Sequence, residues 1–488
     1  MNYWDLVYYL VPETIVALTV VWVLFVDSCF LQKTQPNFRT TWNIVIAILG
    51  CVVAQGWIVF HSQELSIATS LPPMLALTPT TQLLKQVIIF LAIGTFIISA
   101  ETRFTCHIGE YISLVLFAAI GFMLMISSEN ILMIFISLEL ASLSLYILTA
   151  FAKHDAKGNE AAVKYFLFGG VSAAFLLFGF SWIYGLTGET ELSRIALKIK
   201  DLGMSPLLMA ATAMVLIGFG FKIAVVPFQL WAPDVYQAAP LPTAALVASG
   251  SKIASFYLLT TFLHVGFKGM EGSVNWGNWL TGWMPLLAVM ATFSMVLGNL
   301  AAIMQSSVKR LLAYSAIAHA GYILLGVMSA NEDGMTSVLY YAVTYALTTL
   351  GAFGVVAIVT EQNGSDDLAQ FGGLSRRSPV LACCMLIFLL SLAGIPPLAG
   401  FFGKFYLFTN ALRSNASMGL LWLVILAIGM SAVSLYYYLQ ILKQIYVKEA
   451  PPVAPLLNPS GITQLYLVVL ALAVLLLGCM PQWLIARL

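Results

Sequence analysis

Long apolar runs separated by short polar joints recur along the whole chain, and nothing constrains its fold more. They fall near residues 9 to 31, 41 to 61, 84 to 101, 109 to 127, 130 to 152, 160 to 185, 204 to 230, 240 to 264, 281 to 305, 308 to 330, 335 to 360, 379 to 410, 417 to 446 and 462 to 485. A helix needs roughly 20 apolar residues to cross a bilayer, and in hydrocarbon only helices and closed barrels satisfy their own backbone. Continuous runs, rather than alternation of apolar and polar residues, select helices. Composition agrees, since 60% of the 488 residues are hydrophobic and 9% charged, against about 25% charged in a soluble domain. The chain reads as an all-α polytopic membrane protein with about 14 transmembrane helices in a single domain over 1 to 488.

Several functions are disfavoured at once. A net charge of +1 gives no reason to expect nucleic acid. Cys29, Cys51, Cys106, Cys383, Cys384 and Cys479 form no C-x-x-C and have no companion histidines, so neither a metal nor an iron-sulfur site is expected. "GFGFK" has no strand before it and lies inside a helix, which removes the phosphate-loop reading. The first run carries Glu13 and Asp27 and no basic leader, so it is expected to stay as a span rather than be cleaved.

Orientation follows from the loop cations. One side collects twelve, from Lys33 and Arg39 to Lys443 and Lys448; the other collects seven, Lys85, Arg194, Lys198, Lys200, Lys268, Arg413 and Arg487. An even number of spans then puts both termini on the outer side. Three cations remain inside spans, Lys222, Lys252 and Lys404, and Glu139 lies about nine residues into the fifth run. Each such charge costs about 2.5 to 3.5 kcal/mol on insertion scales, so four would cost on the order of 10 kcal/mol unpaired. Some could snorkel, but Glu139 is too short and too deep for that.

Residues three, four and seven apart share a helix face. Glu139, Ser142 and Tyr146 form such a stripe, as do Ser249, Lys252 and Ser255. Ser315, His319 and Tyr322 form another, followed by Thr344 and Thr348, and by Ser431, Ser434 and Tyr438. One hydroxyl stripe is ordinary helix packing; several beside buried ionisable groups point to a hydrated polar lane and to proton relay. Burial favours a neutral amine and a nearby carboxylate favours the ammonium, so moving the carboxylate switches a lysine between holding and releasing a proton. Arginine, always charged, could not do this.

Two spans also carry breakers at membrane depth. "FKIAVVPFQLWAPDVYQ" holds Lys222 and Pro227, and "LLSLAGIPPLAGFFGKFYLF" holds Pro396, Pro397 and Lys404. Proline removes a donor and clashes with the preceding turn, and discontinuous helices in matching halves mark ion sites in transporters. The two breaks lie five spans apart, as do "AAVKYFLFGGVSAAFLLFGF" and "SVLYYAVTYALTTLGAFGVV". That spacing predicts two inverted five-helix repeats, helices 4 to 8 over 109 to 264 and helices 9 to 13 over 281 to 446, after helices 1 to 3 within 1 to 108 and before helix 14 at 462 to 485.

"FKIAVVPFQLWAPDVYQAAPLPTAALVASGSKIASFYLL", "KRLLAYSAIAHAGYILLG" and "SLAGIPPLAGFFGKFY" resemble the antiporter-like membrane subunits of respiratory complex I, the proton-pumping NADH:quinone oxidoreductase. The resemblance runs through nearly the whole chain. It implies the fourteen-helix fold with helices 7 and 12 discontinuous, and a polar axis coupling quinone reduction elsewhere in the complex to proton translocation. "WAPDVYQ", a lysine at 252, a lysine at 404 and the absence of a long lateral helix after span 14 match the subunit nearest the quinone-reducing end. The homologous subunit of the photosynthetic complex, in thylakoid membranes, is a close rival, and a cation/proton antiporter subunit a further one. A purely structural scaffold is the reading from a different class.

By position, Glu139 and Lys222 match the family's ion pair, Lys252 the central relay on helix 8, Lys404 the helix-12 lysine on the exit side, and His319 falls on the helix-10 stripe. Pro227, Pro396 and Pro397 would support the breaks. Gln229 stands where relatives often carry histidine, and glutamine cannot titrate; Asp234 is expected at the membrane edge as a cap or loop ion pair. The resemblance implies no cofactor in this chain, with NAD, flavin, iron-sulfur clusters and quinone in partner subunits. Those partners would include a second antiporter-like subunit and the small subunits toward the quinone site, in a bacterial inner membrane.

Overall fold

A computed structural model describes residues 7–67, 74–203, 205–275, 278–329, 332–413, 419–450, 457 and 459–488, with the side chains of 62–67, 278 and 332 excepted. The start of the thirteenth run, at 417 and 418, lies outside the described residues. Among the described residues 13 helices are long and apolar enough to cross a membrane. Taken as spans 1 to 11, 13 and 14, they are Val11–Leu31, Pro36–His61, Pro79–Ser99, Ile108–Ser127, Ile131–Thr149, Ala156–Thr187, Pro206–Ile223, Leu241–Gly266, Trp283–Ile303, Val308–Val327, Asp333–Asn363, Leu421–Tyr446 and Gly461–Cys479. The run expected as span 12 folds as two 15-residue helices, Pro379–Ala393 and Ala399–Arg413.

The helix starts follow local chemistry. Asn130, Asp155, Ser205, Ser307 and Ser460 each accept a backbone N–H of the first turn, satisfying donors that have no intrahelical partner. Thr78 and Thr81 cap span 3 reciprocally, and Pro79 occupies its first position, where a missing N–H costs nothing. This early start corrects the reading of Lys85. The helix begins five residues ahead of the apolar run and carries Lys85 into the span, fully buried and 2.7 Å from the buried Glu13 of span 1. The loop tally drops from seven to six on that side, which leaves the twelve-cation side dominant. At the other end of span 1, Asp27 accepts from Arg39 Nε at 2.7 Å and Asn43 Nδ2 at 2.6 Å, fastening span 1 to span 2.

Spans 8, 10 and 11 form the centre, while spans 1, 2, 6 and 13 turn one side outward. Small residues place spans 8 and 11 there. "LPTAALVASGSKIASFYLLTT" and "YYAVTYALTTLGAFGVV" let backbones approach closely, and any side chain added at Gly351 would strike Phe388 of span 12. Spans 8 and 11 pack together, as do spans 4 and 5, 6 and 7, and 9 and 10. Leu18, Trp22, Phe60, Ile136, Phe166 and Phe178 are exposed on the periphery, facing the lipid that membrane spans require. Small elements lie between spans, among them the helix Trp231–Ala238 after span 7. The amphipathic helix Leu192–Leu202 buries Leu192, Ile195 and Ile199, and the strands Ser273–Asn275 and Asn278–Leu280 pair antiparallel.

Candidate functional site

Spans 7 and 12 end in the same way, and the ends position the lysines. In span 7 the helix stops at Ile223, Ala224 adopts the left-handed conformation (φ 56°), and Val225 N–H reaches back to the Gly220 carbonyl at 3.0 Å. In span 12 it stops at Ala393, Gly394 is left-handed (φ 88°), and Ile395 N–H reaches back to the Leu390 carbonyl at 3.0 Å. Both are Schellman endings. Pro227, Pro396 and Pro397 follow these turns, in cis peptides at Val226–Pro227 and Pro396–Pro397; the left-handed residue makes the stop and the prolines lie beyond it.

Each break frees carbonyls in a region without bulk water, and following where they find partners leads to the candidate residues. The Phe221 carbonyl accepts from Trp231 Nε1 at 2.9 Å. The Ile223 carbonyl accepts from the ammonium of Lys252 on span 8. The Leu392 and Ala393 carbonyls both accept from the Lys404 ammonium at 3.0 Å. Val226 N–H is taken by Ser294 Oγ of span 9 at 2.9 Å, and Gly400 N–H by Ser391 Oγ at 3.1 Å. Two buried ammonium groups therefore sit at helix C-termini, where the macrodipole favours a cation. Among the described residues neither forms an ion pair within 4.0 Å.

Lys222, in the last turn of span 7, points to span 5. Its ammonium donates to Ser142 Oγ and, at 3.3 Å, to Tyr146 Oη, with the Tyr146 ring centroid 5.3 Å away. Glu139 lies on the same face one turn from Ser142, but the structure does not join it to Lys222 within 4.0 Å. Glu139 is half-buried, and its Oε1 is buried with no hydrogen-bond partner among the described residues.

Lys252 connects the two halves of the molecule. Besides Ile223, next to Lys222, its ammonium approaches the Ala316 carbonyl of span 10 at 3.5 Å. Ala316 adjoins Ser315, whose hydroxyl bonds Tyr438 Oη of span 13, and Tyr438 Oη lies 3.0 Å from His319 Nε2. The other ring nitrogen of His319 bonds Tyr341 Oη of span 11. A cavity of about 10 Å³ of space for water centres, lined by His319, Tyr341, Thr344, Thr348, Ser391 and Leu392, is about the smallest that holds one water. It joins His319 to Leu392, whose carbonyl bonds Lys404. Lys404 also donates to Ser431 Oγ at 2.8 Å and lies 5.3 Å from the Tyr322 ring centroid.

At the twelve-cation edge Asp234 accepts from both Lys164 and Arg310 at 2.9 Å, tying span 6 to span 10. Burial raises the proton affinity of its carboxyl, but the Lys164 and Arg310 partners outweigh burial and hold it below the usual carboxylate value. An open cleft of about 420 Å³ at this edge includes Asp155, Lys164, Asp234, Lys309 and Asp366. On the opposite edge a cleft of about 190 Å³ includes Asp333, Tyr340, Tyr406, Asn410 and Arg413. Gln229 Oε1 is buried without a hydrogen-bond partner among the described residues.

The spacing of polar residues anticipated the faces carrying Glu139, Lys222, Lys252, His319 and Lys404, but not Tyr341 or Asn299. Asn299 Nδ2 donates to Tyr322 Oη at 2.9 Å and its Oδ1 accepts from Tyr437 Oη at 3.0 Å. A lone amide in "MVLGNLAAIM" is the signal that marks it.

The sequence profile of the family described as NADH:quinone oxidoreductase/Mrp antiporter, TM, matches residues 128–431, which takes in both breaks and all five candidate ionisable residues. NADH-quinone oxidoreductase subunit N 2 of Acidobacterium capsulatum is 45% identical over 492 aligned positions, covering 99% of this chain and 98% of that one. A chain of respiratory complex I from Thermus thermophilus with bound aureothin superposes with a TM-score of 0.79 at 31% identity, covering 97% of this chain and 98% of that one. A chain of the Mrp complex from Dietzia sp. shares the fold, with a TM-score of 0.83 at 20% identity over 98% of this chain and 96% of that one. The chain belongs to the antiporter-like membrane subunits of the NADH:quinone oxidoreductase/Mrp antiporter family, on the branch of NADH-quinone oxidoreductase subunit N.

Proposed function

We propose that the chain is a proton-translocating subunit of a membrane-bound NADH:quinone oxidoreductase, carrying no redox centre and driven by quinone reduction in neighbouring subunits. Protons are taken up at the cleft beside Asp234 and Lys309 and pass between Lys222 and Lys252. They continue along the Ser315, Tyr438 and His319 hydrogen bonds to Lys404, and leave toward the cleft at Asn410 and Arg413. Glu139 sets when Lys222 holds its proton. The observation that carries this reading is the position of the Lys252 ammonium, which bonds the residue next to Lys222 and approaches the span that bears His319. A single side chain thereby links the span 7 break to the span that bears His319, and lysine is the type of group that can load and unload at such a point.

Two inverted five-span repeats, spans 4 to 8 and 9 to 13, belong to the same reading. The matched pairing of spans 4 with 5 and 9 with 10, and the matched Schellman endings, support them. A second antiporter-like subunit and the small subunits toward the quinone site are the proposed partners, with NAD, flavin, iron-sulfur clusters and quinone held there. The proposed setting is a bacterial inner membrane with both termini outside. Proton pumping by the assembled complex in vesicles tests the function. Lys222→Ala or Glu139→Ala is expected to lower the number of protons moved per electron, and an unchanged ratio in both would sink the proposal. Cation exchange by the isolated chain without a redox partner would favour an antiporter instead.

A further inference from the structure

The resting partner of Lys222 is a pair of hydroxyls, although a carboxylate lies one turn away on the same helix. We infer that Ser142 and Tyr146 form a second docking position for the Lys222 ammonium, in competition with Glu139, so that the lysine has two sites on span 5 between which it exchanges. This rests on the proton-relay reading and adds to it the groups that hold the released position.

Five observations converge on this. Lys222 donates to both hydroxyls while Glu139 is beyond 4.0 Å and its buried Oε1 has no partner among the described residues. Ser142 and Tyr146 follow Glu139 by three and seven residues, which puts all three on one helix face. The Tyr146 ring is also within 5.3 Å of the ammonium, adding its π face to the hydroxyl. Span 6 is shaped to admit that hydroxyl, since a Cβ on Gly169 would come within 1.9 Å of Tyr146 Oη. Tyr165 packs edge-on against Tyr146 and also against Phe221, which holds the ring in place.

The charged and titratable groups around Lys222 are few. Span 5 presents Glu139 and Tyr146, span 6 presents Tyr165, and span 8 brings Lys252 to the neighbouring Ile223 carbonyl. Only Glu139 is a carboxylate among them. Removing the two hydroxyls therefore leaves Glu139 as the sole strong acceptor on span 5, and the lysine moves to it. Ser142 and Tyr146 act as positioning residues: they touch the proton carrier, not the proton path beyond it.

The test uses the assembled complex and a membrane-soluble carbodiimide, which modifies buried carboxyls that are not engaged in an ion pair. Modification at Glu139 is read by mass spectrometry of the digested chain. Wild type is expected to be modified, and the double variant Ser142→Ala with Tyr146→Phe to be protected by about tenfold, because a hydrogen bond to a charged group is worth enough to reverse such an equilibrium. Ser142→Thr, which keeps a hydroxyl, should label like wild type. Protection should disappear when Lys222→Ala is added to the double variant. Turnover of the double variant should fall by about tenfold with the KM for quinone unchanged. If the double variant fails to assemble, Ser142→Ala, which removes the closer hydroxyl, is the variant compared, and unchanged labelling in it overturns the inference.

Unchanged labelling in the double variant, or protection that persists without Lys222, overturns the inference. The two levels separate cleanly. An unaltered proton-to-electron ratio in both Lys222→Ala and Glu139→Ala defeats the relay itself, whereas a lowered ratio in Lys222→Ala beside an unprotected double variant defeats only the second docking position.

Discussion

Lys404 offers a substitution in which structure and function are expected to part company. Its ammonium satisfies the Leu392 and Ala393 carbonyls at 3.0 Å and Ser431 Oγ at 2.8 Å. In Lys404→Met the two buried carbonyls lose their donor, at about 1 to 3 kcal/mol each. Against this, an ammonium no longer has to be buried, which recovers about 2.5 to 3.5 kcal/mol on insertion scales. The two terms nearly cancel, so the complex should assemble. Lys404→Arg keeps the charge and donors in the same place but cannot give up its proton. Loss of acid-base function in the relay should slow proton-coupled turnover on the order of a hundredfold in both variants. The assay is quinone reductase activity and proton uptake in vesicles, beside assembly measured by native gel. Lys404→Arg pumping at the wild-type rate would refute the reasoning, because a permanently charged group would then suffice.

Other outcomes follow from the same contacts. Lys85→Met should lower the thermal stability of the complex by about 3 to 5 kcal/mol, since it strands the buried Glu13, and Lys85→Met with Glu13→Leu should recover most of that loss; equal melting of the single and double variants contradicts the pairing. Asp234 is depressed below its usual value by Lys164 and Arg310, so its stabilisation is full above about pH 4 and is lost as pH falls through its lower folded value. Asp234→Asn should therefore remove roughly 1 kcal/mol at neutral pH and flatten the acid side of a melting-temperature profile. Ala224 has a positive φ, alone among the described non-glycine residues, a conformation that costs about 1 to 2 kcal/mol for a side chain. Ala224→Gly should melt no lower than wild type, and a clear loss of stability would show that the left-handed turn is not what ends span 7.

Apolar run length made the spans readable, because the bilayer leaves no other solution for twenty apolar residues. The depth of Lys222, Lys252 and Lys404 was readable for the converse reason, that hydrocarbon makes an unexplained charge costly. Their partners were not. Lys252 bonds a backbone carbonyl 29 positions away and Lys404 carbonyls 11 and 12 positions back, and every residue carries a carbonyl, so composition cannot mark which one is free. Only the left-handed turns at Ala224 and Gly394 expose them. The family resemblance implied a direct pair of Glu139 and Lys222, yet Ser142 and Tyr146 on the face that carries Glu139 hold the lysine; helical periodicity identifies a face and not the member of it that bonds. Lys85 was misread because the polar turn from Pro79 to Gln82 resembles a loop until Thr78 is seen to cap it. The helix Leu192–Leu202 shows how a readable pattern is passed over: "LSRIALKIKDL" has apolar residues at the spacing of an amphipathic helix but is too short and too charged to count as a span.

The most direct test of the account lies at its midpoint. Lys252→Met removes the ammonium that links the span 7 break to the span bearing His319 while keeping much of the side chain's bulk, and the number of protons moved per electron by the assembled complex in sealed vesicles measures the consequence. This ratio is expected to fall while the complex still assembles and still reduces quinone at a measurable rate. An unchanged ratio would contradict it, since protons would then cross the membrane without passing Lys252.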